Sequence, residues 1–170
     1  ANVLIDRGDV NIRQEAGNYN HFVNGDYNLE VAGHMHVVVG EDLTAATERA
    51  AKVSKVFARA ASVKGTRYRR GGVTTKGFDC SGFVLYAMKP VGITFGRTSR
   101  DMRRETPKIT KEEVLPGDLV FFHNKKGTVY HVAIYAGNGK IWHARRPGLR
   151  LAKTNIYAKR VSYGRVDYSS

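Results

Sequence analysis

Polar and apolar residues alternate through much of the first quarter of the chain. Every second residue from Val23 to Val39 is apolar or glycine, and the residues between them are mostly asparagine, aspartate, glutamate or histidine. A period of two is that of a β-strand with one buried and one solvated face. Residues 1–43 are therefore predicted to form a short β segment, separate from the rest of the chain.

An eight-residue repeat lies on top of this alternation. Triplets of valine, any residue and glycine occur at Val23–Gly25 and Val31–Gly33, with an imperfect copy at Glu15–Gly17. Repeats this short cannot bury their own apolar face, so the strand is expected to wind with copies of itself. The pattern resembles the octads in the intertwined trimeric β-helix of phage and contractile-tail spike proteins. The resemblance implies a homotrimer through residues 1–43 and contacts with other tail or baseplate proteins.

A plain β-meander and a truncated SH3-like binding module are alternative interpretations of the same residues. Subunit number separates them, because the octad strand should form trimers whereas a module should stay monomeric. His34 and His36 have the spacing with which spike tips of this type can hold iron. Both share the polar face with Asn24 and Asp26. We therefore expect them to be solvated, and neither a metal nor a cofactor is predicted.

Beyond residue 43 the pattern changes to helices and buried strands. Leu43–Ala61 is rich in alanine and has apolar residues at helical spacing. A second helix is predicted over Ser81–Met88, ahead of Pro90 and Gly92. Strand signals follow at 119–122, 129–136 and 140–144. The prediction is an α+β domain over residues 44–170, with N-terminal helices packed on an antiparallel sheet.

Charge divides the chain in the same place. The 170 residues carry a net charge of +13, but residues 1–43 hold two basic and seven acidic side chains, which leaves +18 on the rest. Such a field suits a polyanion, whether nucleic acid, an anionic membrane or a carboxylate-bearing cell wall. No nucleic-acid-binding motif accompanies the charge, and no apolar run approaches the roughly 20 residues of a membrane span. Neither nucleic acid binding nor membrane insertion is expected, and no secretion signal begins the chain.

The single cysteine, Cys80, lies where the second helix is predicted to begin. One cysteine excludes an intrachain disulfide and any zinc site built on paired cysteines. At a helix N-terminus, unpaired backbone N–H groups and the helix dipole favour an anion, so the pKa of the thiol should be lowered. The same N–H groups can stabilise an oxyanion on an attacked carbonyl. Cys80 is therefore a candidate nucleophile.

Such a nucleophile needs a base, and two histidines lie on the strands of a predicted hairpin. His131 and His143 are separated by a glycine-asparagine-glycine sequence at 137–139. A three-residue loop would pair Ala136 with Lys140 and place both histidines on one face. A two-residue turn would place them on opposite faces. A catalytic pair therefore demands a particular hairpin geometry.

Several motifs occur along the chain in a fixed order: Phe78–Gly82, Arg97–Ser99, Pro116–Phe122, His131–Gly139 and Trp142–Ala144. Together they resemble the successive signatures of the NlpC/P60 family, papain-like peptidases of the bacterial cell wall. The resemblance implies a papain-like fold for the domain. Arg67 stands where the family usually has proline, and Ala133 where it often has glycine.

By this resemblance, Cys80 is the nucleophile, His131 the general base and acid, and His143 the polar residue that orients His131. The oxyanion and substrate-binding positions fall to four further residues: Tyr68, Asp79, Ser81 and Arg97. No metal is needed for such a mechanism.

The leading hypothesis is a peptidoglycan endopeptidase carried on a phage tail or spike, which opens the wall locally in the host periplasm. The resemblance implies cleavage of the bond between D-glutamate and diaminopimelate. One alternative is a secreted, extracellular or wall-associated bacterial hydrolase with an N-terminal binding module. Another is a structural spike with an inactive enzyme fold, against which the intact Cys80, His131 and His143 argue.

Overall fold

A computed structural model of the chain describes residues 40–169 and, before them, four short strands. These strands are β1 (Asn2–Ile5), β2 (Arg13–Gln14), β3 (Asn20–Val23) and β4 (Glu30–Val31). Strand β1 pairs in parallel with β3, and β2 pairs in parallel with β4. Most of the octad repeat, including His34 and His36, lies outside the described residues. The β-helix and the trimer therefore stay predictions.

The chain divides into two compact units, Ala1–Arg49 and Ala50–Ser170. Helix α1 spans Gly40–Ser62 and confirms the helix predicted over Leu43–Ala61. Apolar residues at helical spacing bury one side of this helix in the second unit: Val53, Val56 and Ala60. The predicted domain boundary between residues 43 and 44 falls inside α1 and stays a prediction.

Short elements lead from α1 to the main sheet. Strands β5 (Val73–Thr74) and β6 (Gly77–Phe78) pair antiparallel, and α2 (Cys80–Met88) follows at once. This confirms the helix predicted over Ser81–Met88. A 3-10 turn at Lys89–Val91 ends it, and α3 (Ser99–Glu105) comes next.

The main sheet has six strands, ordered β11-β10-β9-β8-β12-β7, and every pairing is antiparallel. The strands are β7 (Lys108–Ile109), β8 (Leu119–His123), β9 (Val129–Gly137), β10 (Lys140–His143), β11 (Ala152–Asn155) and β12 (Val161–Gly164). The strands predicted at 119–122, 129–136 and 140–144 are confirmed, as is the α+β class.

Alternation along the central strands gives this sheet two apolar faces. On one face, Phe121 and Val132 belong to the large core that includes Phe83 of α2. On the other, Phe122 and Ala133 belong to a smaller cluster, against which the loop after β11 packs. Both faces of β8 and β9 are therefore buried, which explains the continuous apolar runs of these strands.

Asp118, in the proline-glycine-aspartate turn before β8, is fully buried. Its carboxylate accepts the backbone N–H groups of Leu115 at 2.9 Å and Val166 at 3.0 Å, and the Nε–H of Arg165 at 3.1 Å. A buried charge is tolerated when it is paired and hydrogen-bonded in this way. This motif therefore anchors the start of β8 and belongs to the scaffold.

No helix in the described part of the chain has both the length and the hydropathy needed to cross a lipid bilayer. Likewise, residues 40–169 contain no group of three or more histidine, cysteine, aspartate or glutamate side chains placed to hold a metal ion.

Candidate active site

Cys80 is the first residue of α2, as the sequence predicted. Asp79 caps this helix with an extended backbone, and its Oδ1 accepts the Gly82 N–H at 2.7 Å. Position 82 has no room for a side chain, because a Cβ there would lie 2.0 Å from the carbonyl oxygen of Gly72. The loop before the helix thus packs directly against the first turn. Cys80 is left half-buried at the helix N-terminus.

Three of the predicted substrate-binding residues bind one another beside Cys80. Arg97 donates from Nη2 to Asp79 Oδ2 at 2.6 Å and from Nη1 to Asp79 Oδ1 at 3.0 Å, a two-point ion pair. The same Nη1 donates to Ser81 Oγ at 2.7 Å. About 40 % of the Arg97 side chain remains exposed. The cluster therefore fixes the helix cap and still presents polar groups to solvent.

Tyr68 lies near this cluster, and its side chain packs against the same core as Cys80. Burial raises the pKa of the Tyr68 hydroxyl, and the neighbouring Cys80 and Asp79 raise it further. The phenol is therefore a neutral donor at neutral pH. The structure thus brings all four predicted binding residues, Tyr68 included, to the N-terminus of α2.

The two predicted histidines form a buried pair. His131 and His143 expose 2 % and 3 % of their surfaces, and His131 Nε2 lies 2.9 Å from His143 Nδ1. The backbone N–H of Val132, the residue after His131, favours the thiolate form of Cys80. Within residues 40–169, no hydrogen bond joins Cys80 directly to His131. Such bonds are often long without substrate and tighten when it binds.

The hairpin that carries the histidines combines features of both predicted geometries. Asn138 and Gly139 form a two-residue turn with positive φ angles of 53° and 70°, and Gly137 pairs with Lys140. The register then shifts by one residue, which leaves Ala136 unpaired in a β-bulge. Because of this bulge, His143 and His131 lie on the same face, as the three-residue loop would have placed them.

A second irregularity lies just before His131. Phe122 pairs with His131 and His123 with Val129, so Tyr130 is left unpaired. The stretch from His131 to Tyr135 is therefore bounded by a bulge at each end. Bulges next to functional sites commonly re-aim a side chain.

A hydrogen-bond chain assigns the tautomers of both rings. Thr154 Oγ1 donates its only hydrogen to the carbonyl of Asn155 at 3.2 Å, so it must accept from His143 Nε2, which lies 2.8 Å away. His143 Nδ1 is then the acceptor for the Nε2–H of His131. The lone pair of His131 consequently lies on Nδ1. Nothing in the sequence marked Thr154, which is on β11, as part of the site.

Burial sets the protonation states of these groups. Burial is the main reason why the pKa of His131 is lowered to about 3 and that of His143 to about 4. The nearby Arg145 contributes to both values, and His143 contributes to that of His131. Burial also raises the pKa of the Cys80 thiol. The expected lowering of the thiol pKa is therefore wrong for the free protein. The N–H groups of Val132, Ser81 and Cys80 do favour the thiolate, but desolvation outweighs them.

An aromatic wall covers the histidine pair on the side away from α2. Tyr157 stacks on His143 and on Phe122, with ring centroids 5.8 Å and 4.6 Å away, and Arg145 lies 3.7 Å above the Tyr157 ring. Tyr157 follows β11 in an irregular segment. No periodic pattern marked it in advance. Its ring excludes water from the imidazoles and so contributes to their low pKa values.

A half-buried thiol at the N-terminus of a helix and a buried, oriented imidazole on the strand that this helix packs against are the groups that cysteine-nucleophile enzymes use. Residues 65–165 match the NlpC/P60 family, and the chain belongs to this family.

Known proteins of the family align with the same region. The chain is 35 % identical over 117 residues to the bifunctional muramidase/DL-endopeptidase CwlT of Bacillus subtilis, covering 65 % of this chain and 36 % of that protein. It is 42 % identical over 97 residues to the murein DD-endopeptidase MepH of Escherichia coli, covering 54 % and 36 %. The chain thus spans little more than a third of these curated relatives.

Solved structures agree with the fold. An NlpC/P60 family protein from Bacillus cereus superposes with a TM-score of 0.63 at 30 % identity, covering 66 % of this chain and 39 % of that one. The peptidoglycan hydrolase RipB of Mycobacterium tuberculosis gives a TM-score of 0.61 at 29 % identity, covering 71 % and 66 %.

Proposed function

We propose that this chain is a peptidoglycan endopeptidase in which Cys80 attacks a stem-peptide carbonyl and His131 moves the proton. The observation that carries the proposal is the hydrogen-bond chain from Asn155 to His131. It leaves the His131 lone pair on Nδ1, the nitrogen that does not bind His143. The names of the family relatives as endopeptidases support the same substrate class.

The first half of the reaction begins from a neutral thiol and a neutral imidazole. His131 Nδ1 takes the thiol proton as the sulfur bonds to the carbonyl carbon, and the carbonyl electron pair moves to oxygen. The resulting imidazolium donates from Nε2 to His143 Nδ1, which stabilises its charge. His131 then returns the proton to the leaving amine as the carbon–nitrogen bond breaks. The product is a thioester on Cys80.

The second half consumes water. His131 Nδ1 removes a proton from a water molecule whose oxygen attacks the thioester carbon. The carbon–sulfur bond breaks, and the sulfur regains the proton from His131. In both halves the backbone N–H of Cys80 and the Tyr68 hydroxyl are the proposed oxyanion donors.

Asp79, Ser81 and Arg97 are assigned to substrate binding. Their mutual hydrogen bonds hold them beside the nucleophile, and the exposed part of Arg97 can pair with a carboxylate of the stem peptide. The bond between D-glutamate and diaminopimelate is the proposed cleavage point. The relatives include a DL-endopeptidase and a DD-endopeptidase, which are names for the cleavage of different stem-peptide bonds. The masses of the released products therefore have to identify the bond that this chain cleaves.

The test uses purified sacculi treated with the wild-type chain, with Cys80→Ala and with His123→Ala as a control outside the site. Wild type and control should release muropeptides, with Cys80→Ala below about one-thousandth of their rate. Release at equal rates by Cys80→Ala and wild type would end the assignment. Mass analysis of the fragments should show new N-terminal diaminopimelate. A different new N-terminal residue would leave the endopeptidase assignment intact and would change only the bond that is proposed to be cleaved.

The tail-spike context is a separate proposal, supported by the octad pattern and by the acidic charge of residues 1–43. Light scattering of the full chain should give a trimer. Val23→Asp with Val31→Asp should give monomers, whereas Asn24→Asp with Asn28→Asp, on the polar positions, should not. A monomeric wild type would favour the secreted hydrolase with a binding module.

A further inference from the structure

A second polar site lies outside the proposed active site, at the opposite end of β8 from Asp118. It is a solvent-open cavity of about 370 Å³ between α3, β7, the β8–β9 loop and β12. Four cationic side chains line it, together with a histidine and a serine: Arg103, Lys108, Lys125, Arg160, His123 and Ser162. Among the described residues that line it, none is acidic. We call it the Arg103 pocket.

Arg103 is the most constrained of these cations. Its Nη1 donates to Ser162 Oγ and to the Tyr163 carbonyl, both at 3.0 Å, and its Nη2 donates to the Thr106 carbonyl at 2.9 Å. The guanidinium also lies 4.5 Å from the centre of the Phe121 ring. All these partners are neutral. The positive charge is therefore held in one orientation, and no residue within 40–169 supplies a counter-charge.

Two of the five N–H groups of Arg103, the Nε–H and one Nη2–H, have no acceptor within residues 40–169. Burial lowers the pKa of Arg103, which is the signature of a partly desolvated cation. Lys108, Lys125 and Arg160 form no ion pair with any described residue. The site thus combines an oriented guanidinium with three open cations.

The floor of the pocket is fixed by His123. Its Nδ1–H donates to the Gly127 carbonyl at 2.9 Å, so its Nε2 accepts the Ser162 hydroxyl hydrogen at 2.7 Å. Ser162 Oγ is then free to accept from Arg103, as observed. Ser162 and His123 therefore hold the guanidinium in place through an ordered network.

We propose that the Arg103 pocket binds a phosphate group. One carboxylate would neutralise only one of the four cations, whereas a phosphate brings up to two charges and several acceptor oxygens to one point. Guanidinium groups bind phosphate through paired N–H donors, and Arg103 has two such donors open. The volume admits a phosphate with a small substituent, such as one glycerol or sugar unit. The site is separate from the proposed catalytic residues and does not depend on that proposal.

The test measures binding to the full chain by calorimetry at low salt, with inorganic phosphate and with a synthetic glycerol phosphate trimer. Lys125→Ala with Arg160→Ala removes two pocket charges. Lys64→Ala with Lys111→Ala removes two exposed charges elsewhere and is the matched control. The pocket pair should weaken binding at least tenfold and the control pair less than twofold. Amide NMR shifts of the wild type on titration should centre on His123, Gly127 and Ser162.

Equal weakening of phosphate binding by the pocket pair and the control pair would overturn the proposal, because net charge alone would then explain the affinity. The absence of saturable binding to the wild type would overturn it as well. Acetate that competes as well as phosphate would overturn the phosphate assignment. If the trimer binds more tightly than inorganic phosphate, the source is a phosphodiester polymer; equal affinity points to free phosphate. Muropeptide release by the pocket pair should equal that of wild type, which separates this result from failure of the proposed function.

Discussion

Thr154→Val is the substitution that tests the histidine orientation most directly. Valine has nearly the shape of threonine but can neither accept the Nε2–H of His143 nor donate to the carbonyl of Asn155. Without that acceptor, His143 can carry its proton on Nδ1 instead. In that form it cannot accept from His131, and His131 loses the partner that keeps its lone pair on Nδ1.

The size of the effect follows from one neutral hydrogen bond. Such a bond contributes about 0.5–1.5 kcal/mol, which corresponds to about a 2- to 13-fold loss in rate if it is fully felt in the transition state. Because Thr154 is exposed, the free energy of unfolding should change by less than about 0.5 kcal/mol. We therefore expect a lower kcat, an unchanged KM and an unchanged Tm.

The assay is steady-state cleavage of a soluble stem-peptide fragment, with Thr154→Ser as the control that keeps the hydroxyl. Thr154→Ser should recover most of the kcat, and the ¹⁵N chemical shifts of the His143 ring should show the Nε2–H form in wild type and Thr154→Ser only. Full kcat in Thr154→Val, or equal losses in both variants, would refute the tautomer argument.

Two further predictions concern stability. Because His131 and His143 have pKa values lowered from 6.5 to about 3 and 4, their contribution to stability is complete above pH 6.5 and is lost as the pH falls below it. The slope is up to about 1.4 kcal/mol per pH unit for each group. Urea unfolding at pH 6.5 and pH 5 should show the loss, and equal free energies at the two values would contradict it. Gly82→Ala should lower the free energy of unfolding by at least about 2 kcal/mol, because its Cβ meets the Gly72 carbonyl. Gly148→Ala, which has open space but a φ of 86°, should lower it by only about 1 kcal/mol. Similar decreases in the free energy of unfolding for the two variants would show that the backbone moves away from the clash at position 82 at little energetic cost.

Residues whose roles are local could be predicted from the sequence. Cys80 at the start of a helix and His131 on a buried strand follow from the motifs and from helical and strand periodicity. Helices α1 and α2 and strands β8, β9 and β10 follow from the same patterns, whereas helix α3 and strands β7, β11 and β12 were not predicted. Tyr68 and Arg97 could be placed by the family resemblance alone, although the sequence did not show that Arg97 binds Asp79.

The parts that could not be predicted depend on contacts between distant segments. The bulge at Ala136 has no sequence signature, so the turn chemistry of Asn138-Gly139 alone would have put the histidines on opposite faces. Thr154 and Tyr157 reach the site from the edge of the sheet and carry no periodic signal. The prediction that the pKa of the Cys80 thiol is lowered was wrong, because an argument from the helix N-terminus alone does not include the desolvation of Cys80 by distant segments.

Whether the two imidazoles lie on the same face of the sheet depends on whether the number of paired residues between them is odd or even, because Ala136 is left out of the pairing. Three residues of the hairpin stay out of the ladder, one in the strand and two in the turn. Deletion of Ala136 would remove the β-bulge but leave the pairs Gly137–Lys140 and Tyr135–Ile141 unchanged, so both imidazoles would stay on the same face of the sheet. Adding one residue to a paired stretch would send His143 through the sheet to the opposite side. The length of this hairpin can therefore vary through its unpaired residues, whereas the paired residues between His131 and His143 can change only in even numbers if both imidazoles are to stay on one face.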